Sequence, residues 1–331
     1  MNIYTQMFLA TTFLGTLMAV SAPNWVTAWI GLEINMMSFI PLLSTPPTNK
    51  SAEASIKYFM NQALASSIFL FSILTVLSNK TPSTSMSLVI AMPMILALAT
   101  KSGMAPTHFW FPQVAKMIPW AQNTILFTWQ KIAPIILMSL TNSFLVKSII
   151  IMSAIVGAVG AFNHTNMKLI LTFSSIMNGS WMLSAIMMSM YAWMIYFIAY
   201  SIMIISLTQI LQKNNSTEIL SFNKSQNSKF TKISLVIIML SLAGMPPFLG
   251  FNIKILIINI LMQMNDMFTA FILVMSSILT LYYYFRIILT PLMLSKSNSL
   301  IENNNYTKKM PKLILVGVLS NILLSPLVLL M

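Results

Sequence analysis

The sequence contains no cysteine, five acidic residues, two histidines and a single arginine in 331 residues, and only 7% of its side chains carry charge. Without cysteine there are no disulfides, thiolate metal sites or cysteine nucleophiles. The histidines, His108 and His164, stand far apart in the sequence, which speaks against a histidine-built metal cluster. No phosphate-binding glycine loop, nucleophile elbow, haem attachment pattern or iron–sulfur ligand run is present. So little charge over this length also excludes an ordinary soluble domain.

What fills the chain instead is apolar. It is 57% hydrophobic, with a mean hydropathy of +0.82. A membrane crossing needs about 20 mostly apolar residues, and runs broken by short polar joints predict about eleven spans. Their limits are 3–21, 24–43, 55–78, 86–101, 122–141, 147–162, 169–189, 192–212, 231–263, 267–290 and 312–330. The expected fold is therefore an all-α polytopic bundle, one membrane domain over 1–331 with no soluble part. The run 231–263 is too long for one straight crossing and carries Gly244, Pro246, Pro247 and Gly250 near its middle, so a broken helix is expected there. A second irregular stretch follows the fourth span at 101–106, with Gly103 and Pro106. Two interrupted spans, each with a lysine beside the break, are a pattern of repeat-built transporters; two unrelated kinks would produce it equally well.

The net charge of +13 is not a nucleic-acid footprint, because the lysines stand singly or in short loops and not in a patch with exposed aromatics. It reads as sidedness. Loops after even-numbered spans hold Lys50, Lys116 and Lys168, then Lys213, Lys224, Lys229 and Lys232, then Lys296, Lys308, Lys309 and Lys312. The opposite loops hold Lys80, Lys147 and Asp266. The bias of Lys and Arg towards one side places the N-terminus on the cytoplasmic or matrix face and the C-terminus across the membrane. The chain opens on an apolar run with no Arg- and Ser-rich leader, so insertion from the first helix is expected. Its 30 methionines fit an organelle code that reads isoleucine-type codons as Met. The polar loops 213–230 and 292–311 read as solvated loops or as docking surfaces.

Four charges stand inside these runs: Glu33, Lys101, Lys131 and Lys254. A charge at the bilayer centre costs about 3 kcal/mol on insertion scales, and such residues face a bundle interior or an aqueous path. The plainer readings are a hydrogen-bonded structural acid for Glu33, snorkelling to the surface for Lys101, and helix-pairing contacts for Lys254. Lys131 lies too deep to snorkel. The sharper reading is a proton relay, in which a buried lysine exchanges a proton when a neighbouring charge moves. His108, Asn163, His164, Ser174, Ser175 and Asn178 are candidate bridges, each of which also reads as an ordinary helix-contact residue. Arg286, after Tyr282-Tyr283-Tyr284-Phe285, reads as an interfacial anchor, and Glu53 with Lys57 as a helix-surface pair.

At these residues the chain resembles a known family. Trp29-Ile-Gly-Leu-Glu33, Lys101-Ser-Gly-Met-Ala-Pro-Thr-His-Phe-Trp110, Thr128-Trp-Gln-Lys-Ile-Ala-Pro134, the 163–181 segment and Leu242-Ala-Gly-Met-Pro-Pro-Phe-Leu-Gly-Phe251 with Lys254 resemble the subunit 2 family of mitochondrial NADH:ubiquinone oxidoreductase, respiratory complex I. The likeness runs from about 24 to 290; the C-terminal loop and last helix, 291–331, lie outside it. It implies an antiporter-like, proton-pumping membrane-arm subunit of the inner membrane, matrix-side at its N-terminus, with two broken helices. Glu33 matches the family's intramembrane glutamate, Lys101 its paired lysine, Lys131 the central-axis lysine and Lys254 the lysine of the second broken helix. The resemblance also implies neighbours among the membrane-arm subunits, including the next antiporter-like one, and phospholipids. No cofactor or metal is expected on this chain; the whole complex would use FMN, iron–sulfur clusters, NADH and ubiquinone.

Three positions depart from the pattern. Thr107 replaces a phenylalanine, Leu169 a lysine, and Asn178 a histidine, so the step from Lys131 to Lys254 is expected to lean on water or hydroxyls. Two other function classes use the same charges. A free-standing cation/proton antiporter would transport as an isolated chain in liposomes. In a structural scaffold the charges would only hold helices together, and removing them would harm assembly before pumping.

Overall fold

The computed structural model describes residues 3–78, 88–141, 143–214, 217–218, 229–294, 315 and 317–321. Its elements are α1 (Ile3–Val20), α2 (Trp25–Leu43), α3 (Asn49–Ser78), α4 (Leu88–Ser102), α5 (Trp110–Met117), α6 (Trp120–Phe127), α7 (Ile132–Ser139), α8 (Ser143–Gly160), α9 (Met167–Met188), α10 (Met190–Lys213), α11 (Lys229–Ala243), α12 (Leu249–Gln263) and α13 (Met267–Leu294). Among the described residues the only extended pairing is an isolated bridge between Asn166 and Glu218. Helices α1, α2, α3, α8, α9, α10 and α13 are long and apolar enough to cross a membrane, and the chain is an all-helical, multi-pass membrane protein. Large apolar side chains such as Phe71, Phe144 and Phe268 point outward, as they do where the surroundings are lipid or another apolar surface.

Helix α9 is the centre. Nearly every residue from Met167 to Ile186 is buried, so all of its faces meet protein. Helices α5, α7, α8, α10, α12 and α13 pack around it. The Asn166 side chain accepts from the Lys168 amide at 2.9 Å and starts the helix. Extended Ser189 ends it and at once caps α10, its side chain accepting from Ala192. The polar hydroxyls along α9 are satisfied locally: Thr172, Ser174, Ser175, Ser180 and Ser184 each donate to the carbonyl three residues earlier.

The helices differ from expectation in three places. The third span begins at Asn49 and not at 55, so α3 is about 45 Å long and its first turns carry the Glu53–Lys57 pair at 2.7 Å. The stretch after the fourth span is a short turn followed by α5, a helix absent from the predicted spans. The span 122–141 is broken: α6 and α7 are joined by a 3₁₀ turn over Trp129–Lys131. Pro134 explains this, since it offers no N–H to the Gln130 carbonyl and its ring crowds that group. The break expected in 231–263 lies between α11 and α12, at 244–248. The expected span 312–330 falls largely outside the described residues, of which 315 and 317–321 are helical.

The two ends of the bundle hold different lysine contacts. At one end the Lys168 ammonium meets the carbonyls of Lys116 and Ile118, and Lys50 lies close enough to act on it electrostatically. At the other end Lys147 and Asp266 form an ion pair at 2.6 Å. The loops 213–230 and 292–311 lie largely outside the described residues.

Helices α1 and α2 cross almost backbone to backbone. A Cβ at Gly15 would stand 2.7 Å from the Asn35 nitrogen, and one at Gly31 would stand 2.5 Å from the Ala19 nitrogen. Close approach through small residues is how membrane helices gain dispersion contact. Gly31→Val is expected to destabilise the bundle by about 1–3 kcal/mol, measured as a lowered thermal midpoint of the purified assembly, while Ile30→Val on the exposed face leaves it unchanged.

Candidate functional site

Membrane interiors leave a lysine ammonium without water, so what surrounds each one decides what it can do. Lys131 ends the 3₁₀ turn between α6 and α7 and is 1% exposed. Its Nζ donates to the Ser175 carbonyl of α9 and lies 5.4 Å from the centre of the Phe111 ring. Gly179 makes the room: a Cβ there would meet Met104 at 2.5 Å and Lys131 Nζ at 3.6 Å. Lys254, on α12, folds back to the end of α11 and donates to the Ala243 carbonyl at 3.1 Å, with its Nζ 6.0 Å from the Trp181 ring centre. Gly244, at φ +84°, turns the chain out of α11 beneath it. Lys168 repeats the arrangement, with the Ile118 carbonyl at 2.6 Å and the Trp120 ring at 5.6 Å. Each buried ammonium thus has a main-chain carbonyl and an aromatic face, and among the described residues none of the three pairs with a carboxylate.

Lys101 occupies the last turn of α4, where a cation complements the helix dipole. Gly103, at φ +71°, then ends the helix, with Phe111 packed against it. The Lys101 main-chain carbonyl accepts from Gln62 Nε2 of α3 at 3.4 Å. Glu33, on α2, is half-buried; one of its oxygens, Oε2, is fully enclosed and has no hydrogen-bond partner. Glu33 lines an open groove with Phe8, Thr11, Trp29 and Met37. It acts electrostatically on Lys101 and on buried Tyr58, yet among the described residues it forms no direct ion pair with Lys101. The two are neighbours through space, not in contact.

Helix α9 links the lysines. Ser175 receives Lys131, and Trp181, six residues on and about 9 Å along the axis, faces Lys254. Between them Asn178 accepts a hydrogen bond from the Tyr196 hydroxyl at 2.8 Å and donates to the Ser174 carbonyl at 2.9 Å. Asn178, Tyr196, Ser241 and Lys254 line one void of about 10 Å³, close to the volume one water needs. Beside it, the buried hydroxyls of Tyr200 and Tyr284 come near Ser175 and Ser174 without making a hydrogen bond of ordinary geometry, and the Tyr283 hydroxyl is likewise unpaired.

The histidines stand elsewhere. His108 lies in the turn before α5, its Nδ1 3.2 Å from the Pro106 carbonyl, and both His108 and His164 gather on the Phe173 ring, at 6.3 and 5.5 Å. Asn163 is exposed on the α8–α9 loop. Arg286 is not a simple interfacial anchor. It reaches from α13 to that loop and donates to the carbonyls of Phe162 and His164 at 2.7 and 2.6 Å. Nor is the tyrosine run a surface belt: Tyr282 stacks on Phe162, whereas Tyr283 and Tyr284 are buried. Successive residues on a helix point about 100° apart, so three adjacent tyrosines cannot share one environment.

Other members of the site were missed from sequence. Asn35 of α2 and Gln130 form a reciprocal, buried amide pair at 2.9 and 3.0 Å. Trp129 Nε1 donates to Thr16 Oγ1 of α1 at 3.0 Å. Lys168 is buried against the end of α5, not free in a loop. Asn35 stands two residues after Glu33, and Pro134 gave notice of the turn; nothing local pairs Asn35 with Gln130 across 95 positions.

The arrangement has known counterparts. Residues 22–280 match the family described as NADH:quinone oxidoreductase/Mrp antiporter, transmembrane. The chain is 40% identical over 326 residues to NADH-ubiquinone oxidoreductase chain 2 of Anopheles gambiae, covering 95% of this chain and 94% of that one. It is 35% identical over 329 residues to the chain of the same name from Oryctolagus cuniculus, with 95% and 94% covered. Its fold is similar to that of a chain in the respiratory complex I of Thermus thermophilus, with a TM-score of 0.85 at 21% identity, covering 99% of this chain and 78% of that one.

A side chain at Gly244 would face both a left-handed backbone and the Lys254 ammonium, 2.7 Å from its Cβ. Gly244→Ala is therefore expected to destabilise the protein by about 1–2 kcal/mol. A thermal midpoint unchanged by the substitution would contradict this geometry.

Proposed function

From the premise that this chain belongs to the NADH:quinone oxidoreductase/Mrp antiporter family, and within it to the NADH-ubiquinone oxidoreductase chain 2 proteins, we propose that it translocates protons as a membrane-arm subunit of the respiratory complex. The observation that carries the proposal is the α9 spine, which holds Lys131 at Ser175 and faces Lys254 at Trp181. Lys131 and Lys254 rest on neutral carbonyls and ring faces, with no carboxylate among the described residues paired to either ammonium. A proton can therefore leave either lysine without stranding a partner anion in the bilayer.

In this reading Glu33 and Lys101 are the input. A unit charge moved to within 10 Å changes a neighbour's energy by about 1.7 kcal/mol at an effective dielectric near 20, enough to bias where the next proton sits. Lys131 is the central relay and Lys254 the exchange partner. The Tyr196–Asn178 pair and a water in the adjoining void bridge the gap that Asn178, which cannot titrate, leaves open. Ser174 and Ser175 stand on α9 at the Lys131 end of this step. His108 and His164, on the Phe173 ring, serve the end of the bundle where Lys50, Lys116 and Lys168 gather.

The wider setting is part of the same proposal, and the family match supports it. The chain lies in the mitochondrial inner membrane with its N-terminus in the matrix and its C-terminus in the intermembrane space, among other membrane-arm subunits and phospholipids. It is part of a proton-translocating NADH:ubiquinone reductase and holds no redox centre itself. A cysteine-free chain has no thiolates for an iron–sulfur cluster. FMN, the clusters, NADH and ubiquinone belong to partner subunits whose redox chemistry drives the charge shifts.

Lys131→Met is expected to leave the amount of assembled complex unchanged and to lower the number of protons moved per NADH oxidised. Proton uptake followed in sealed vesicles decides the matter: an assembled Lys131→Met complex with normal stoichiometry would refute the relay. Loss of assembly on removing each charge in turn would favour a scaffold.

A further inference from the structure

The turn that ends at Lys131 is held from three directions by three consecutive side chains. Trp129 donates to Thr16 of α1 at 3.0 Å and meets Phe13 edge-on, ring centres 4.3 Å apart. Gln130 exchanges two hydrogen bonds with Asn35 of α2, and Lys131 donates to Ser175 of α9. A 3₁₀ turn of three residues has little hydrogen bonding of its own. Its position is therefore set by these anchors, and the Gln130–Asn35 pair is the most constraining of them. Two antiparallel hydrogen bonds between planar amides fix translation and rotation together, and both groups are buried, so water cannot replace either bond. The close crossing at Gly15 and Gly31 sets the Asn35 backbone of α2 against Gly15, the neighbour of Thr16 in α1.

Asn35 stands two residues from Glu33 and Gln130 stands next to Lys131. The pair therefore bolts the helix that bears the acid to the turn that aims the central lysine. Amides do not titrate, so this link keeps its geometry whichever charge state its neighbours adopt.

We propose that Asn35 and Gln130 are positioning residues that hold the Lys131 ammonium in register with the α9 spine and couple the position of α2 to it. The inference rests on the relay reading of Lys131. Displacing a reacting group by 1 Å can cost about a hundredfold in rate, and a side chain on a released turn moves at least that far.

The experiment compares Gln130→Met, Lys131→Met and the double variant in the assembled complex, reading protons moved per NADH oxidised and the amount of assembled complex. Gln130→Met is expected to lower the protons moved per NADH oxidised by about threefold or more at normal assembly, and to have no further effect once Lys131 is Met. The exchange Asn35→Gln with Gln130→Asn keeps the total reach of the two amides and is expected to restore pumping to within about twofold of the unsubstituted chain. Normal pumping in Gln130→Met, or an equal loss in the Lys131→Met background, overturns the inference. If Gln130→Met fails to assemble, Asn35→Ser breaks the same pair from the α2 side with a smaller, still polar residue, and normal stoichiometry there overturns it equally. Normal stoichiometry in Lys131→Met alone would instead remove the relay reading beneath it.

Discussion

A cation in lipid must be solvated by something, and here the solvent is the main chain. Helices consume their own carbonyls, so a spare oxygen is found where a helix ends, or where a side chain shares an acceptor already in use. Lys254 takes the last carbonyl of α11, and Lys168 takes the one just past the end of α5. Lys131 shares the Ser175 carbonyl inside α9 and is delivered there by a break in its own helix. The interrupted helices and the buried lysines are one device: the interruptions create or reach the oxygens that make the ammonium groups tolerable.

That device needs a fixed reference, and α9 supplies it. Buried along almost its whole length, with its hydroxyls turned onto its own backbone, it presents a carbonyl to one lysine, a ring to another, and an amide between. Gly179 keeps the surface at Lys131 open, while Gly157 lets α8 approach until a Cβ there would lie 2.6 Å from the Met177 nitrogen. Small residues thus do two jobs in this bundle, bringing helices together and leaving room for charged side chains.

Much of this was readable from the chain. Apolar runs separated by polar joints mark the helices, and Gly244 with Pro246 and Pro247 announced one break correctly, because both act on the backbone itself. Pro134 carried the same signal for the turn at Lys131, but the even hydropathy of 122–141 concealed it. The four interior charges were conspicuous because lipid makes them costly wherever they point. Their partners were not, since a carbonyl has no letter in the sequence. Asn35 and Gln130 are unremarkable polar residues until the fold brings them together, and Lys168 looked like a loop charge because burial by a neighbouring helix is a tertiary property. The buried pair Tyr283 and Tyr284 was hidden by exposed Tyr282 beside them.

The shortage of interior acids has one more consequence. Along the proposed row from Lys101 to Lys254 the ionisable side chains are lysines, and among the described residues the interior carboxylate, Glu33, stands at one margin in an open groove. Such a corridor repels alkali-metal ions by the sign of its field and offers them no ring of oxygens to replace their hydration shells. In the proposed relay a proton avoids both obstacles, because there it travels as a change of bonding on the lysines themselves. On that reading, discrimination between hydrogen ions and sodium or potassium lies in the choice of side chain, without any filter.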